Sequence, residues 1–252
     1  MPTKRTPSKG AQPFQREGPL ILAFGAHPDD IEFGCGGVIA RETQAGHAVH
    51  CVVCSRGEAG TNGTPEQRTR EAEVAAKLLG ASVEFTDLGG DAHMEHRVEH
   101  TVKLAAIIRR TRPRLVLAPT VMENQHPDHV VVGRMVRDAA RLARYGGLAE
   151  LKSRPRHLIE QLWFYAVSFD AEPNDRSAVL MDVSAPKVVA AWTAAMRAHA
   201  SQAQTRSYLE QQLLRAQFHG GRCGVSHALP LFPNDAVVCE SLATFGRAAR
   251  QF

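Results

Sequence analysis

The 252-residue chain predicts an α/β fold, a doubly wound and mostly parallel sheet with strand order 3-2-1-4-5 and a C-terminal α/β extension. Three observations lead there. Apolar runs of strand length alternate with helical segments that close on glycine, and the connections between them are short. The first run is almost continuously apolar, as a strand buried on both faces must be.

That run, PLILAFGAH over residues 19–27, is the first expected strand, and residues 34–46 form a short helix ended by Gly46. Residues 48–55 are the second strand, followed by a Gly/Asn loop at 57–64. Thr64-Pro65-Glu66-Gln67 then supplies an N-cap, a proline at the first helical position and an acidic first turn. The helix it starts runs to Leu79 and stops at Gly80. A third strand over 82–88, a helix over 94–111, a fourth strand over 114–120 and a helix over 127–144 complete a Rossmann-like β-α-β-α-β-α-β-α half. The second half reads as strands at 161–168 and 178–184, one long helix or two over 185–218, and a last short strand at 237–242. Residues 1–18 read as a flexible tail and 19–252 as a single domain.

Composition narrows the function classes. With 44% hydrophobic and 22% charged residues the chain has the balance of a globular protein, which excludes a disordered, collagenous or coiled-coil reading. No apolar run approaches the ~20 residues that cross a bilayer, and the polar N-terminal segment lacks the apolar stretch of a secretory signal. A cytoplasmic location is the expectation. The net charge of +4 is concentrated in the tail (Lys4, Arg5, Lys9 and Arg16 against Glu17), leaving a nearly neutral body. Arg134, Arg137, Arg141 and Arg144 recur at helical spacing and read as a solvated face, so no nucleic-acid partner is expected. Five cysteines form no disulfide framework, and Cys51 and Cys54, three apart in a strand, point to opposite faces.

Chemistry concentrates after the first and fourth strands, in His27-Pro28-Asp29-Asp30 and His126-Pro127-Asp128-His129. Each places metal-capable side chains three residues apart at a helix start, where i and i+3 share a face. In a 3-2-1-4 sheet these two strands are neighbours at the point where the winding reverses, which is where such folds bind ligands. A His/Asp/His set with an open position suits zinc, and the same donors accept iron, cobalt or manganese. Gly34-Cys35-Gly36-Gly37 lacks the dinucleotide fingerprint and reads as close packing, while His93, His96 and His100 read as solvated.

On these motifs the chain resembles the LmbE-like or PIG-L-type zinc de-N-acetylases. The likeness extends through Gly36-Gly37, Arg68 to Glu71, Leu79-Gly80 and Ala118-Pro119, covering residues 19–145. His199-Ala200-Ser201-Gln202 and Gly221 to Val225 look like the C-terminal part of bacterial members acting in bacillithiol-type thiol synthesis. The resemblance implies that His27, Asp30 and His129 hold the metal and that Asp29 is the general base for the attacking water. It implies that His126, oriented by Asp128 and kept protonated by that carboxylate, stabilises the tetrahedral intermediate or protonates the leaving amine. Arg56, Arg68 and Asp91 are the expected substrate contacts. The implied activity is removal of an acetyl group from an N-acetylated amino sugar or its conjugate. The alternative is a lyase or hydratase that adds water to an unsaturated acid. A small-molecule sugar is the implied partner, with no membrane, in a trimeric or hexameric homo-oligomer. Two departures stand out: Met122 to Gln125 contains no tyrosine where several members have one, and Gln125 stands where bacillithiol-type enzymes carry a basic residue. Loops 57–64, 89–93 and 146–160 are expected to set the aglycone.

Overall fold

The computed structural model describes residues 21–202, 207–239, 241 and 246–248, so the expected tail lies outside the described residues. Strands β1 (Ile21–Gly25), β2 (Val49–Val53), β3 (Ser82–Phe85), β4 (Leu115–Pro119) and β5 (Gln161–Tyr165) alternate with helices α1 (Asp30–Gln44), α2 (Pro65–Leu78), α3 (Val98–Thr111) and α4 (Pro127–Leu142). Then come β6 (Val179–Asp182), α5 (Pro186–Ala198), α6 (Tyr208–Cys223) and β7 (Ala228–Pro233). The seven strands form one sheet in the order β3-β2-β1-β4-β5-β7-β6. Its first five strands are parallel, as expected, and β7 lies antiparallel between β5 and β6.

Period-two alternation divides the core between the two faces of the sheet. Leu22 and Phe24 of β1 pack on one side with Leu104 of α3 and Met135 of α4. Ile21 and Ala23 pack on the other with Ile39 of α1 and Trp192 of α5. Cys51 joins the second layer and Cys54 the first, so the two thiols are divided by the sheet, and burial pushes both their pKa values up. Thr64 caps α2 by accepting the Gln67 N–H at 3.2 Å. The arginine stripe of α4 is partnered: Arg134 pairs with Glu123, and Arg137 and Arg141 flank Asp138.

Four expectations are corrected. Helix α1 begins at Asp30, not 34, and holds the glycine cluster inside its first turns. Packing overrides propensity there: a Cβ on Gly34 would lie 2.2 Å from the Tyr165 ring, and one on Gly36 2.7 Å from Trp192. Helix α3 starts at Val98 rather than 94, and of Met94, Val98, Ala105 and Ile108, whose spacing predicts one buried stripe, Val98 is instead 71% exposed. The last strand is Ala228–Pro233, whose prolines Pro230 and Pro233 hid it; residues 237–239 are not a strand, and residues 240 and 242 lie outside the described residues. Finally, the 146–160 segment joins the C-terminus of α4 to the start of β5, at the sheet edge opposite the two metal motifs. Arg109 fastens it there, donating to the carbonyls of Ala143, Tyr145, Leu151 and Arg154.

Gly34→Ala should force Tyr165 off the helix and lower unfolding free energy by about 1–3 kcal/mol, the usual cost of overpacking, measurable by urea denaturation.

Candidate metal centre

Strands β1 and β4 are hydrogen-bonded neighbours, and their C-terminal ends deliver the two motifs to one crevice. His27 and His129 ring centroids are 5.3 Å apart, and donor atoms of His27, Asp30 and His129 lie within 4.8 Å of one another. All three side chains are buried. The carboxylate of Asp30 is built in by its own turn: its Oδ2 accepts the backbone N–H groups of Ala26 and His27, each at 2.8 Å. Its Oδ1 lies 3.0 Å from His129 Nε2. Burial alone would raise the Asp30 pKa, but His129 and His27 outweigh it and hold the group well below the usual carboxylate range.

His27 is fixed from behind. Its Nε2 lies 3.0 Å from Asp91 Oδ1 and 3.1 Å from Asp128 Oδ2, while Nδ1 faces Asp30 at 3.5 Å. Burial opposes charge on this ring, yet Asp30, Asp128 and Asp91 overcome it and push its pKa up to about 12. The surrounding carboxylates thus create a negative field able to hold a cation. A carboxylate on the far nitrogen of a ligating histidine is the usual way such a ring is oriented and made more basic. His129 Nδ1, in turn, is buried with no hydrogen-bond partner among the described residues, a side chain built for one more. The donor chemistry therefore fits a divalent cation held by His27, Asp30 and His129. His27, Asp91, His126 and Asp128 form a second clustered set, but there the outer nitrogen of His27 is already occupied by the two carboxylates.

Asp29 stands at the N-cap of α1 with φ 114° and ψ −28°, a conformation a non-glycine residue adopts only when its surroundings impose it. Burial first, and then the Asp30 charge, raise its pKa to about 6, against the opposing pull of His199, Arg68 and His27. Arg68 explains the imposed backbone. Its guanidinium, 4% exposed, donates to the carbonyls of Pro28 at 3.0 Å and Gly57 at 3.1 Å, and lies 3.5 Å from Asp29 and 3.9 Å from Asp91. Gly57, at φ +72°, leaves room for it, since a Cβ there would meet Arg68 Nη1 at 2.1 Å.

The structure redistributes several expected roles. The Asp128 side chain turns to His27 and to the Ala92 N–H (2.7 Å), and the contact it makes with His126 is through its backbone N–H, donated to Nδ1 at 3.2 Å. Neutral His126 therefore carries its proton on Nε2. Burial and the neighbouring His27 and His129 lower the His126 pKa, the reverse of the expected protonated ring. Asp91 is buried against His27 and Arg68 and is absent from the cavity wall, because loop 89–93 folds back under the metal motifs. Arg56 is exposed, lies over the Phe85 ring at 5.1 Å and donates to Thr69; it is not gathered into the centre. His93 and His96 are exposed and His100 is half-buried, with His96 3.2 Å from Asp138.

A cavity of about 500 Å³ opens above Asp29, Asp30, His126 and His129. Phe33 of α1 and Gln125 join a wall drawn mostly from the second half of the chain: residues 167–170 after β5, and Tyr208, Gln211 and Leu214 of α6. Sequence reasoning missed these, since nothing in an α6 pattern says which face meets a site built elsewhere. It also missed buried Glu32, 3.3 Å from His199 Nε2, although the 199–202 segment stands out in the sequence. That segment is latched to α2 through Ser201, whose hydroxyl donates to Glu71 at 2.6 Å.

Residues 22–140 match the family model described as PIG-L, GlcNAc-PI de-N-acetylase. A 1D-myo-inositol 2-acetamido-2-deoxy-alpha-D-glucopyranoside deacetylase from Mycobacterium sp. (strain KMS) is 30% identical over 233 residues, covering 73% of this chain and 74% of that one. The chain belongs to the PIG-L (LmbE-like) family. A 4-oxalmesaconate hydratase from Pseudomonas putida is 32% identical over 138 residues, covering 50% of this chain, and the match spans about half of that enzyme, 53%. Among solved structures, a conserved protein of Thermus thermophilus superposes with a TM-score of 0.75 at 30% identity, over 91% of this chain and 100% of that one. Among the described residues no helix is long and apolar enough to cross a membrane.

Asp128→Asn should weaken metal binding by roughly 10–100-fold while leaving the fold intact, as read by competition with a chromogenic zinc chelator.

Proposed function

We propose that the protein is a zinc-dependent N-deacetylase that hydrolyses the acetamide of an N-acetylated amino sugar or its conjugate. One observation carries the reading: a carboxyl group that is not needed as a ligand, Asp29, stands beside the His27–Asp30–His129 set on the floor of an open cavity. A divalent cation, when bound, supplies Lewis-acid chemistry, lowering the pKa of water from ~15.7 towards ~7 and polarising the amide carbonyl.

The chain's own residues do the remainder. Asp29 accepts a proton from the attacking water. Burial raises its pKa from the ordinary carboxylate value, which favours returning that proton to the departing nitrogen, as amide cleavage requires. His126, neutral and bearing its hydrogen on Nε2, donates a hydrogen bond to the oxygen that gains charge as the carbonyl is attacked. Arg68 and Asp91 act at one remove in this scheme: the guanidinium holds the Pro28–Asp29 backbone, and Asp91 shares with Asp128 the outer nitrogen of His27. Relatives named as deacetylases of N-acetylated amino sugars support this reading.

The P. putida hydratase supports a second reading, in which the same centre adds water across an activated double bond. Hydration of a conjugated acid creates no amine leaving group, so the two are separated by product. Incubation with N-acetylglucosamine conjugates should release acetate and free amine stoichiometrically, with activity lost on chelation and restored by zinc. Hydration of unsaturated dicarboxylic acids without acetate release from any N-acetyl sugar would favour the second reading.

Asp29→Asn should retain metal but lose at least about 100-fold in kcat, the usual contribution of a general base. Because Asp29 must be ionised to act and its pKa is raised, kcat/KM should fall as pH drops through about 6. A bound cation lowers that pKa, so in the loaded protein the limb moves towards more acid pH.

A further inference from the structure

The turn that follows α5 buries polar side chains that the hydrolysis itself does not use: His199 is 1% exposed and Ser201 is fully covered. Buried polar groups persist where they have partners, and the partners here trace a circuit around the catalytic floor. His199 Nε2 lies 3.3 Å from Glu32, in the first turn of α1. Burial opposes charge on the His199 ring, yet Glu32, then Asp29 and Glu71, raise its pKa, so acidic groups of α1 and α2 face it together. Two residues on, the Ser201 hydroxyl donates to Glu71 Oε2 at 2.6 Å and its backbone N–H donates to Oε1 at 3.0 Å. Gln67, one turn earlier on α2, donates to the same Oε1 at 3.0 Å and steadies the carboxylate. Gln202 donates to the Asn62 carbonyl at 2.9 Å, fastening the loop ahead of α2. Gly63, at φ +78°, admits the turn, since a Cβ there would meet Ser201 Cβ at 2.8 Å.

The circuit closes on Asp29. Arg68, one turn before Glu71 on the same helix, donates to the Pro28 carbonyl and stands 3.5 Å from the Asp29 carboxylate. An arginine can impose a backbone conformation only where its own helix is held. Within α2 the buried residues are Arg68 and three alanines, Ala72, Ala75 and Ala76, and the large apolar anchor, Leu79, sits at the far end. The N-terminal half of α2 therefore has no apolar plug of its own, and the Ser201–Glu71 contact supplies its fixed point.

We infer that Ser201 and Glu71 are positioning residues: the turn after α5 clamps α2, and through Arg68 it sets the backbone from which Asp29 works. This rests on the reading of Asp29 as general base. Metal binding is independent of the clamp, because Asp30 is held by the Ala26 and His27 N–H groups and His27 by Asp91 and Asp128.

The test compares the zinc-loaded parent with Ser201→Ala, Glu71→Ala and Glu71→Gln, following amine release from N-acetylglucosamine. Both alanine variants should lose at least about tenfold in kcat, the scale on which a small misplacement of a catalytic group acts. Their KM, and their zinc affinity by chelator competition, should stay within about threefold of the parent. Glu71→Gln keeps a side chain able to engage both Ser201 groups and should recover kcat to within about threefold of the parent. Action through Arg68 sets a stricter requirement: Ser201→Ala placed on Arg68→Met should lower kcat by less than about twofold further, where independent effects would multiply. Unchanged kcat in both alanine variants, losses that multiply, or Glu71→Gln as impaired as Glu71→Ala would overturn the inference.

Hydrogen exchange gives a readout that needs no substrate. The Phe33 N–H donates to the Asp29 carbonyl at 2.9 Å, so in Ser201→Ala it should exchange at least about threefold faster while α4 keeps the protection of the parent. If the parent releases no amine from any N-acetyl sugar, that local change still supports the clamp, and the deacetylase reading alone fails. Exchange unchanged at Phe33, or quickened equally across the molecule, would overturn the clamp.

Discussion

The site depends on how one imidazole is held. His27 sits between carboxylates on both nitrogens, with Asp91 and Asp128 on the outer one and Asp30 on the inner. Without the outer pair the ring would be free to turn, and the donor set that converges on His129 would lose its geometry. The neighbours are arranged around this requirement. Asp128 begins α4 and is steadied by the Ala92 N–H, Asp91 is steadied by the Ala59 N–H, and Arg68 balances the accumulated negative charge from below. Three βα connections, those after β1, β3 and β4, therefore meet at a single ring, which explains why the site belongs to the sheet edge and not to any one loop.

Asp29 is the counterpart of that arrangement. Its neighbour Asp30 is drawn to low pKa by two imidazoles, while Asp29 is raised by burial and by the Asp30 charge. Two adjacent carboxyl groups thus acquire opposite properties from opposite surroundings, one permanently ionised and one able to exchange a proton near neutrality. The price is a backbone at φ 114°, sustained by the Arg68 hydrogen bond to the Pro28 carbonyl.

Much of this was legible in the amino-acid sequence. The strand order followed from alternation of apolar runs and helices, and the convergence of His27 with His129 followed from the topology alone. The partners of those residues were not legible, because Asp128 reaches His27 across 101 positions and only folding shows which imidazole it serves. Residue type misled in two places, and the expected start of α1 falls four residues late. Gly34 and Gly36 do mark close packing, as expected, since Tyr165 and Trp192 lie on the helix backbone there. Pro230 and Pro233 disguised β7, and the conspicuous glycine-rich loops drew attention from α6, whose contribution to the cavity depends on how it docks.

The floor and most of the wall of the cavity come from separate parts of the polypeptide. The family match ends at residue 140, whereas the wall, apart from Phe33 and Gln125, is drawn from 167–170 and from α6, with Gln212 tying α6 to the Val167 carbonyl and Arg215 tying it to the carbonyls of Ala166 and Gly34. Bonds to main-chain oxygens place no demand on the identity of the side chains around them. The outer half can consequently be rewritten, residue by residue, while the metal-binding half stays untouched, so that divergence in what these proteins accept need not disturb how they react with it.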